Sequence, residues 1–226
     1  MYNVMIVEDD PMARRLLEIM VTSDESYHLA VSVESASVAE VYCMTEAIDL
    51  ILMDVCTALH ASGLDAAIKI KKLFPQIRII IITSLLECSF IERAREGGVD
   101  SFWYKDPFEN ELLDIMNRTM MGESIYPDQS PTSNMGLATS SEFTERELDV
   151  LRELISGDTD EMIAERLNLS VHTIKKHVKS MFQKTGCTTR TQLAVMALES
   201  GIVVRGIYTE NLIKINYKNN KRRVPL

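Results

Sequence analysis

The chain has 226 residues, a fraction of apolar and charged residues that is normal for a globular protein, and a formal net charge of −9. This length allows one large domain or two ordinary ones, and no apolar run approaches the roughly 20 residues of a membrane-spanning helix. The four cysteines lack the paired spacing of a disulfide framework or a zinc site, and no secretory signal opens the chain. We therefore expect a protein of the reducing cytoplasm.

Charge is distributed unevenly along the chain. Residues 1–121 carry ten basic and twenty acidic residues, whereas residues 142–226 carry fourteen basic and eleven acidic ones. An acidic front and a mildly basic rear indicate separate tasks, with the rear part suited to contact with a polyanion. We predict a first domain at 1–121, a linker rich in turn residues at 122–141, a second domain at 142–203 and a basic tail at 204–226.

Apolar runs and amphipathic stretches alternate through the first domain. Such alternation is typical of a parallel sheet with helices on both faces. We predict a doubly wound, flavodoxin-like sheet of five strands in the order 2-1-3-4-5. The predicted strands lie near residues 3–7, 29–33, 49–53, 78–83 and 99–104. The predicted helices lie near residues 11–22, 36–47, 64–73, 88–96 and 108–120.

Acidic residues follow two of the predicted strands. Glu8 and Asp9 come directly after the first strand, and Asp54 follows the apolar run of the third. In a sheet of this order the ends of these two strands are neighbours, so the three carboxylates should face one another across the ligand crevice. Carboxylates that lie so close repel one another unless a cation joins them, which predicts a site for Mg²⁺.

Two further side chains belong to this pocket if the other strand ends converge. Thr83 ends the fourth strand and Lys105 follows the fifth. A metal, a hydroxyl and an ammonium group around one carboxylate form the arrangement that phosphoryl transfer needs. The alternative is that each acid is a helix cap or a surface charge. That interpretation is common for one acid, and it comes first for Asp10, but it fits the whole set poorly.

With these residues in place, the first domain resembles the receiver domain of two-component response regulators. The matching pieces are residues 6–10, 53–54, 82–84 and 104–107. The resemblance implies that Asp54 accepts a phosphoryl group from a sensor histidine kinase. The Mg²⁺ ligands that it implies are three carboxylates and one main-chain carbonyl, from Glu8, Asp9, Asp54 and Cys56. It also implies that Thr83 and Lys105 sense the phosphoryl group and that Phe102 is a rotating aromatic switch residue.

The loop at residues 55–62 departs from the family pattern. It lacks the proline that receivers usually carry four residues after the phosphorylated aspartate, and it is one residue longer before Gly63. Glu8 also stands where aspartate is commoner. Because the loop borders the pocket, the sequence does not fix how the metal or the phosphate donor would be placed.

The second domain has a wholly helical pattern. Thr144 and Glu147 form a predicted capping box for its first helix, Asp158 opens the second, Ser170 caps the third, and a fourth spans about 190–200. A short turn joins the second and third helices. Four short helices with this connection predict an all-α helix-turn-helix domain whose third helix fits the major groove of DNA.

One face of the third helix is basic. Its members, at helical spacing, are His172, Lys175, Lys176 and Lys179. Lysines of this kind bind phosphates or guanine edges, and Thr173 is a further candidate for a phosphate contact. A solvated helix face is the common alternative, which the reversal of charge between the domains disfavours. Residues 142–203 resemble the LuxR-type (NarL/FixJ-like) DNA-binding domain, and the resemblance implies that the three lysines face double-stranded DNA.

Three functions remain after this reasoning. The first is a transcription regulator switched by phosphorylation of Asp54, which binds two half-sites as a homodimer and has no membrane contact. The second is a phosphate-independent DNA binder with a degenerate receiver. The third is a Mg²⁺-dependent phosphotransferase, which the sequence disfavours because Cys56 stands where a catalyst would carry its general acid. We therefore expect a regulator and not an enzyme.

Overall fold

The computed structural model describes residues 1–86, 89–105, 112–128 and 132–203. Two compact units are present, the first comprising Met1–Ser84 and Phe90–Gln129 and the second comprising Leu85–Ser89 and the chain from Ser130 onward. The predicted tail at 204–226, the predicted starts of the fourth and fifth helices, and residues 106–107 of the receiver pattern lie outside the described residues. Within the described ranges, no helix has both the length and the apolar character needed to cross a membrane.

The first unit is built around one parallel sheet. Its strands are β1 (Tyr2–Val7), β2 (Tyr27–Val33), β3 (Leu50–Asp54), β4 (Arg78–Thr83) and β5 (Ser101–Tyr104). Their order, β2-β1-β3-β4-β5, confirms the predicted doubly wound sheet. Every residue of β3 is buried, as expected for a central strand that helices cover on both faces. The register pairs Val7 with Met53 and Asp54 with Ile82, so the carboxyl ends of the three central strands are level.

Five helices accompany the sheet. They are α1 (Pro11–Thr22), α2 (Ala39–Thr45), α3 (Gly63–Leu73), α4 (Ser89–Glu96) and α5 (Leu112–Met120). Helix α2 begins later than predicted because residues 36–38 form a 3-10 turn, in which the Ser35 hydroxyl accepts a hydrogen bond from the Ser37 amide. Helix α3 begins after Ser62, whose hydroxyl caps it by accepting from the Asp65 amide at 3.1 Å.

The predicted linker at 122–141 contains two structured parts. Residues 123–127 run along β5, where the carbonyl of Ile125 accepts a hydrogen bond from the Phe102 amide at 2.8 Å. Residues 134–139 form a small hairpin in which Asn134–Met135 pairs with Ala138–Thr139. Met135 is buried in the core of the second unit. The boundary between the two units therefore falls inside the predicted linker, near residues 129 and 130.

The second unit contains the four predicted helices. They are α6 (Glu145–Ile155), α7 (Asp160–Leu167), α8 (Val171–Thr185) and α9 (Arg190–Ser200). A threonine or serine hydroxyl caps each one by accepting a hydrogen bond from an amide of the first turn. The cap of α7 is Thr159, one residue beyond the predicted Asp158, because the Asp158 carboxylate pairs with Arg166 instead. Gly186 and Gly201, both at positive φ, end α8 and α9.

A buried carboxylate connects α6 to α8. Glu147 is 3% exposed and closes the predicted capping box by accepting from the Thr144 amide at 2.9 Å. The same side chain accepts hydrogen bonds from Ser180 at 2.7 Å and from Lys184 at 2.6 Å. Burial alone would raise the pKa of Glu147. The hydrogen bonds from Lys184, Thr144 and Ser180 outweigh burial and lower this pKa to about 2.

We expect Glu147→Gln to lower the free energy of unfolding of the full chain at pH 7 by about 2 kcal/mol, because Lys184 loses its charged partner. The folded-state pKa is depressed, so the contribution of Glu147 is complete above its ordinary value of 4.5 and is lost as the pH falls toward about 2. The difference between wild type and variant should therefore shrink below pH 4.5. Urea unfolding followed by helical circular dichroism measures it, with the exposed Glu145→Gln in the same helix as the matched control. A difference that stays constant down to pH 3 would contradict this account.

Candidate functional site

Four strand ends converge at one edge of the sheet of the first unit. Asp54 is the last residue of β3, Thr83 is the last of β4, and Glu8 and Lys105 directly follow β1 and β5. The amide of Lys105 donates to the carbonyl of Thr83 at 2.8 Å, so the ends of β4 and β5 are joined. The structure thus brings together side chains that lie up to 97 positions apart in the sequence.

Three carboxylates form the acidic part of this site. Ligand oxygens of Glu8, Asp9 and Asp54 all lie within 4.8 Å of one another. Glu8 and Asp54 are buried, whereas Asp9 is exposed. An all-oxygen set that is open on one side fits a hard divalent cation, which keeps water in its remaining coordination positions.

Lys105 provides the positive charge of the site. Its Nζ lies 2.6 Å from Oε2 of Glu8 and 3.3 Å from Oδ1 of Asp54. Burial is the largest influence on Asp54 and raises its pKa to about 7, with Glu8 adding to the rise and Lys105 opposing it. Burial would lower the pKa of Lys105, but the carboxylates of Asp54 and Glu8 outweigh burial and raise it. The ammonium group therefore stays charged beside the two acids.

The Arg14 side chain and the main chain of Asp10 hold Glu8 in place, and neither contact was predicted from the sequence. The Arg14 guanidinium donates to the main-chain carbonyl of Glu8 at 2.8 Å and also bonds Glu34 at 3.0 Å. The amide of Asp10 donates to Oε1 of Glu8 at 3.2 Å. The Asp10 carboxylate itself caps α1 by accepting from the amides of Met12 and Ala13 at 2.9 and 2.8 Å. Asp10 is therefore a helix cap, and its amide, not its carboxylate, supports the acidic cluster.

Gly63 is a further residue that the sequence reasoning missed as part of the site. A Cβ atom at this position would lie 1.7 Å from the main-chain oxygen of Asp54, so any side chain here would displace the backbone of Asp54. The Gly63 amide also donates to the carbonyl of Val55 at 2.9 Å. The glycine directly after the loop at 55–62 was the available signal, because close approach of two backbone segments calls for glycine.

The loop at 55–62 is an ordered miniature hairpin. Cys56–Thr57 pairs antiparallel with Ala61–Ser62, and Leu59 at its tip is 84% exposed with a left-handed φ of 63°. The Thr57 hydroxyl accepts from the Ala36 amide at 2.9 Å and donates to the Ala61 carbonyl at 2.8 Å. The tip of the loop is therefore exposed, while the base of the hairpin is fixed beside Asp54.

The other predicted residues of the first unit lie around the same edge. Thr83 is fully buried, and Cys56 begins the miniature hairpin two residues after Asp54. Phe102 is 1% exposed. Its ring contacts that of Tyr104 edge-on at 5.1 Å between centroids and that of Tyr126 in a stacked arrangement at 6.3 Å. Tyr126 lies in the segment predicted to be a linker, so its contact with Phe102 was not foreseen.

The basic face of α8 is exposed in the second unit. Lys175, Lys176 and Lys179 are all exposed, and within the described residues no ion pair engages them. Lys184, on the same helix, differs because it bonds both the Glu147 carboxylate and the Glu142 carbonyl at 2.6 Å. Thr173 is half-buried, and its hydroxyl lies 2.8 Å from that of the capping Ser170. Its first role is therefore in the cap of the helix.

Comparison with known proteins identifies the class to which this fold and site belong. The family described as response regulator receiver domain matches residues 4–117, and the family described as bacterial regulatory proteins, luxR family, matches residues 141–197. The chain belongs to the response regulator receiver family and carries a LuxR-type DNA-binding domain. Both resemblances inferred from the sequence are thereby confirmed.

Relatives and solved structures agree with this assignment. The response regulator protein VraR of Staphylococcus epidermidis is 28% identical over 208 residues, which cover 89% of this chain and 98% of that protein. VraR of Staphylococcus aureus is equally similar. A structure of two RcsB dimers bound to two parallel DNAs has a TM-score of 0.57 at 19% identity and covers 88% of this chain and 98% of its own. RcsB of Salmonella enterica serovar Typhimurium, bound to the promoter rprA with the phosphomimetic BeF₃⁻, gives 0.56 at 18% identity, with coverage of 87% and 98%.

We expect Thr57→Val to lower the free energy of unfolding of the full chain by about 1–3 kcal/mol, because the Ala36 amide and the Ala61 carbonyl lose their partner. Urea denaturation measures this loss, and hydrogen exchange of residues 55–62 should locate it in the hairpin. Thr45→Val is the matched control, since its hydroxyl bonds only the Val41 carbonyl on an exposed helix turn. Equal stability of the two variants would show that Thr57 does not anchor the hairpin.

Proposed function

We propose that this protein is a transcription regulator of a two-component phosphorelay, switched by transfer of a phosphoryl group from a sensor histidine kinase to Asp54. The observation that carries the proposal is the convergence of two further carboxylates, a buried threonine and Lys105 around the buried Asp54. Both proposed partners, a kinase domain and chromosomal DNA, are expected in the cytoplasm. The proposed site comprises Glu8, Asp9, Asp54, Thr83 and Lys105, with Phe102 as its switch residue.

The proposed metal ligands are the carboxylates of Glu8, Asp9 and Asp54 with the main-chain carbonyl of Cys56. Bound Mg²⁺ would neutralise charge on the phosphoryl oxygens during transfer. Asp9 supports the choice of ligands, because its exposure leaves one side of the cluster open to solvent and to the donor. The amide of Asp10 holds Oε1 of Glu8 and the Arg14 guanidinium holds its main-chain carbonyl, while Oε2 is the oxygen that Lys105 contacts at 2.6 Å.

In the proposed reaction, a carboxylate oxygen of Asp54 forms a bond to phosphorus as the bond from phosphorus to the donor imidazole nitrogen breaks. The nitrogen keeps the electron pair and takes up a proton. Lys105, now 3.3 Å from Asp54, would follow the charge onto the phosphoryl oxygens, and the Thr83 hydroxyl would donate a hydrogen bond to one of them. Because Lys105 and Thr83 would change partners when Asp54 is phosphorylated, the site could switch between two states.

The position two residues beyond Asp54 argues against an enzyme that turns over. A phosphotransferase of this chemistry needs a general acid there to protonate its leaving group and a base to release the product. Cys56 occupies the position, and its thiol is not the carboxylic acid that this chemistry uses there. The acyl phosphate on Asp54 would therefore persist, as the proposed regulatory role requires.

The second unit supplies the proposed output, which is binding of double-stranded DNA through α8. Its three exposed lysines have no competing ion pair among the described residues, so their charge is available to phosphates. Thr173 lies at the first turn of the same helix and is the proposed neutral contact. The RcsB structures on DNA, one of them with two dimers, support a phosphorylated homodimer that reads two half-sites.

An acyl phosphate with Mg²⁺ should label the full chain at one site, and Asp54→Ala should abolish the label because, among the described residues, only Asp54 is a buried aspartate within reach of Lys105, Glu8 and Asp9. Phosphoprotein mass spectrometry with hydroxylamine release measures the label. The exposed Asp128→Ala is the matched control and should be labelled as wild type. Stoichiometric labelling of Asp54→Ala would remove Asp54 from its proposed role.

Lys179→Ala should weaken DNA binding and reduce the slope of log affinity against log salt by about 1, because one phosphate contact is lost. Fluorescence anisotropy at several salt concentrations measures both quantities. Lys72→Ala, an exposed lysine of the first unit, removes the same charge and should leave the slope unchanged. If the two variants had identical slopes, the DNA interface would lie outside α8.

A further inference from the structure

The turn after β2 contributes no predicted ligand, but it contacts both sides of the acidic site. This turn, residues 34–36, is called the β2 turn below. On one side, the Glu34 carboxylate accepts a hydrogen bond from Arg14 at 3.0 Å, and the same guanidinium donates to the main-chain carbonyl of Glu8 at 2.8 Å. On the other side, the Glu34 carbonyl accepts from the Ala58 amide at 2.9 Å. The β2 turn therefore connects the end of β1 with the miniature hairpin that follows β3.

Two hydroxyl groups complete the attachment of the miniature hairpin to the β2 turn. Thr57 is buried, accepts from the Ala36 amide at 2.9 Å and donates to the Ala61 carbonyl at 2.8 Å. Ser35 is also buried and donates to the Ala58 carbonyl at 2.9 Å. Thr57 thus bonds both the neighbouring turn and the opposite strand of its own hairpin, so the hairpin base is held on two sides.

Ala58 occupies the position at which receivers usually carry proline, four residues after Asp54. Proline has no amide hydrogen, so a proline here could not donate to the Glu34 carbonyl. In this chain the amide is present and forms part of the attachment to the β2 turn. The chain thus departs from the family pattern at a position where it gains a hydrogen bond.

The pairing of the hairpin strands determines the direction of the Cys56 carbonyl. Cys56 lies opposite Ser62, and the adjacent Gly63 amide donates to the Val55 carbonyl at 2.9 Å. In an antiparallel ladder this makes Cys56 and Ser62 a non-hydrogen-bonded pair, so the Cys56 carbonyl is directed away from the partner strand. This carbonyl belongs to the same planar peptide unit as the Thr57 amide. Anchoring Thr57 therefore restricts the orientation of the carbonyl.

We propose that the β2 turn, acting through Thr57, positions the Cys56 carbonyl as a ligand for Mg²⁺. The inference rests on the proposed function of Asp54 and on the metal ligands proposed with it. Thr57 is not one of those ligands and is therefore a positioning residue. A carbonyl that is already held in place binds a cation without first being ordered, which raises the affinity of the site.

Binding of Mn²⁺ to the full chain tests this inference, with the free ion measured by electron paramagnetic resonance. Mn²⁺ takes the same oxygen ligands as Mg²⁺, so competition gives the Mg²⁺ dissociation constant as well. We expect Thr57→Val to raise both dissociation constants about tenfold, which corresponds to the loss of roughly one net hydrogen bond. Thr57→Ser keeps the hydroxyl and should bind both ions almost as tightly as wild type, a rescue that a change in side-chain volume alone would not give.

A second variant keeps the inference testable if Thr57→Val does not fold, which circular dichroism on the same samples shows. Ser35→Ala removes the hydrogen bond to the Ala58 carbonyl and should also weaken binding of both ions, by less than Thr57→Val. Leu59→Asn is the matched control within the hairpin. Leu59 is 84% exposed at the tip, and asparagine tolerates its left-handed φ of 63°. This control should bind both ions as wild type does.

The outcomes distinguish this inference from the proposed function. Labelling of Asp54 by acyl phosphate, measured on the same samples, reports the proposed function separately. If wild type binds Mn²⁺ more tightly than Asp54→Ala does, and folded Thr57→Val or Ser35→Ala binds it as tightly as wild type, the inference is overturned and the function stands. Equal loss of affinity in Leu59→Asn and Thr57→Val also overturns it. Identical Mn²⁺ affinity of wild type and Asp54→Ala contradicts the proposed metal site and the inference together.

Discussion

The ammonium group of Lys105, placed between two buried carboxylates, is the interaction on which the first unit depends. Glu8 and Asp54 are both removed from water, and two negative charges in such a place repel strongly without a cation. Lys105 compensates both, at 2.6 and 3.3 Å. Burial nevertheless raises the pKa of Asp54 to about 7, because Lys105 only partly opposes the effect of burial. With three carboxylates and one ammonium group, the site suits the divalent cation proposed for it, and a phosphoryl group on Asp54 would change what Lys105 neutralises.

The sheet makes this charge arrangement possible, and the sheet was also the part most readily predicted. Continuous apolar runs identify buried parallel strands, and the order of such strands decides which carboxyl ends are neighbours. Glu8, Asp54, Thr83 and Lys105 could therefore be grouped from sequence because each directly ends or follows a strand. The role of Arg14 could not, because it depends on a contact with the main-chain carbonyl of Glu8 that forms only in the fold. For Gly63 the residue type was a signal, but the sequence does not say that the backbone it approaches is that of Asp54.

Local hydrogen-bond competition explains the smaller differences between prediction and structure. Both Asp158 and Thr159 can cap a helix, and the sequence does not say that Arg166 will take the carboxylate of Asp158 and leave the cap to Thr159. Similarly, the lysines of α8 look alike in sequence. Only the fold distinguishes Lys184, which lies within reach of the buried Glu147, from the three lysines that remain exposed. Capping and exposure are decided by partners that lie far apart in the chain, so they follow from tertiary structure.

Residues 123–127 illustrate the same limit at the level of a segment. Residues 122–141 contain turn-forming residues and little periodicity, which predicts no long helix or strand but says nothing about docking. A sheet edge has unpaired amides wherever its last strand is uncovered, and an irregular segment can satisfy them without any sequence period of its own. In this chain the segment also carries Tyr126, whose ring stacks on that of Phe102. The edge contact of Ile125 and the aromatic contact of Tyr126 lie on adjacent residues, so each helps to hold the other against β5.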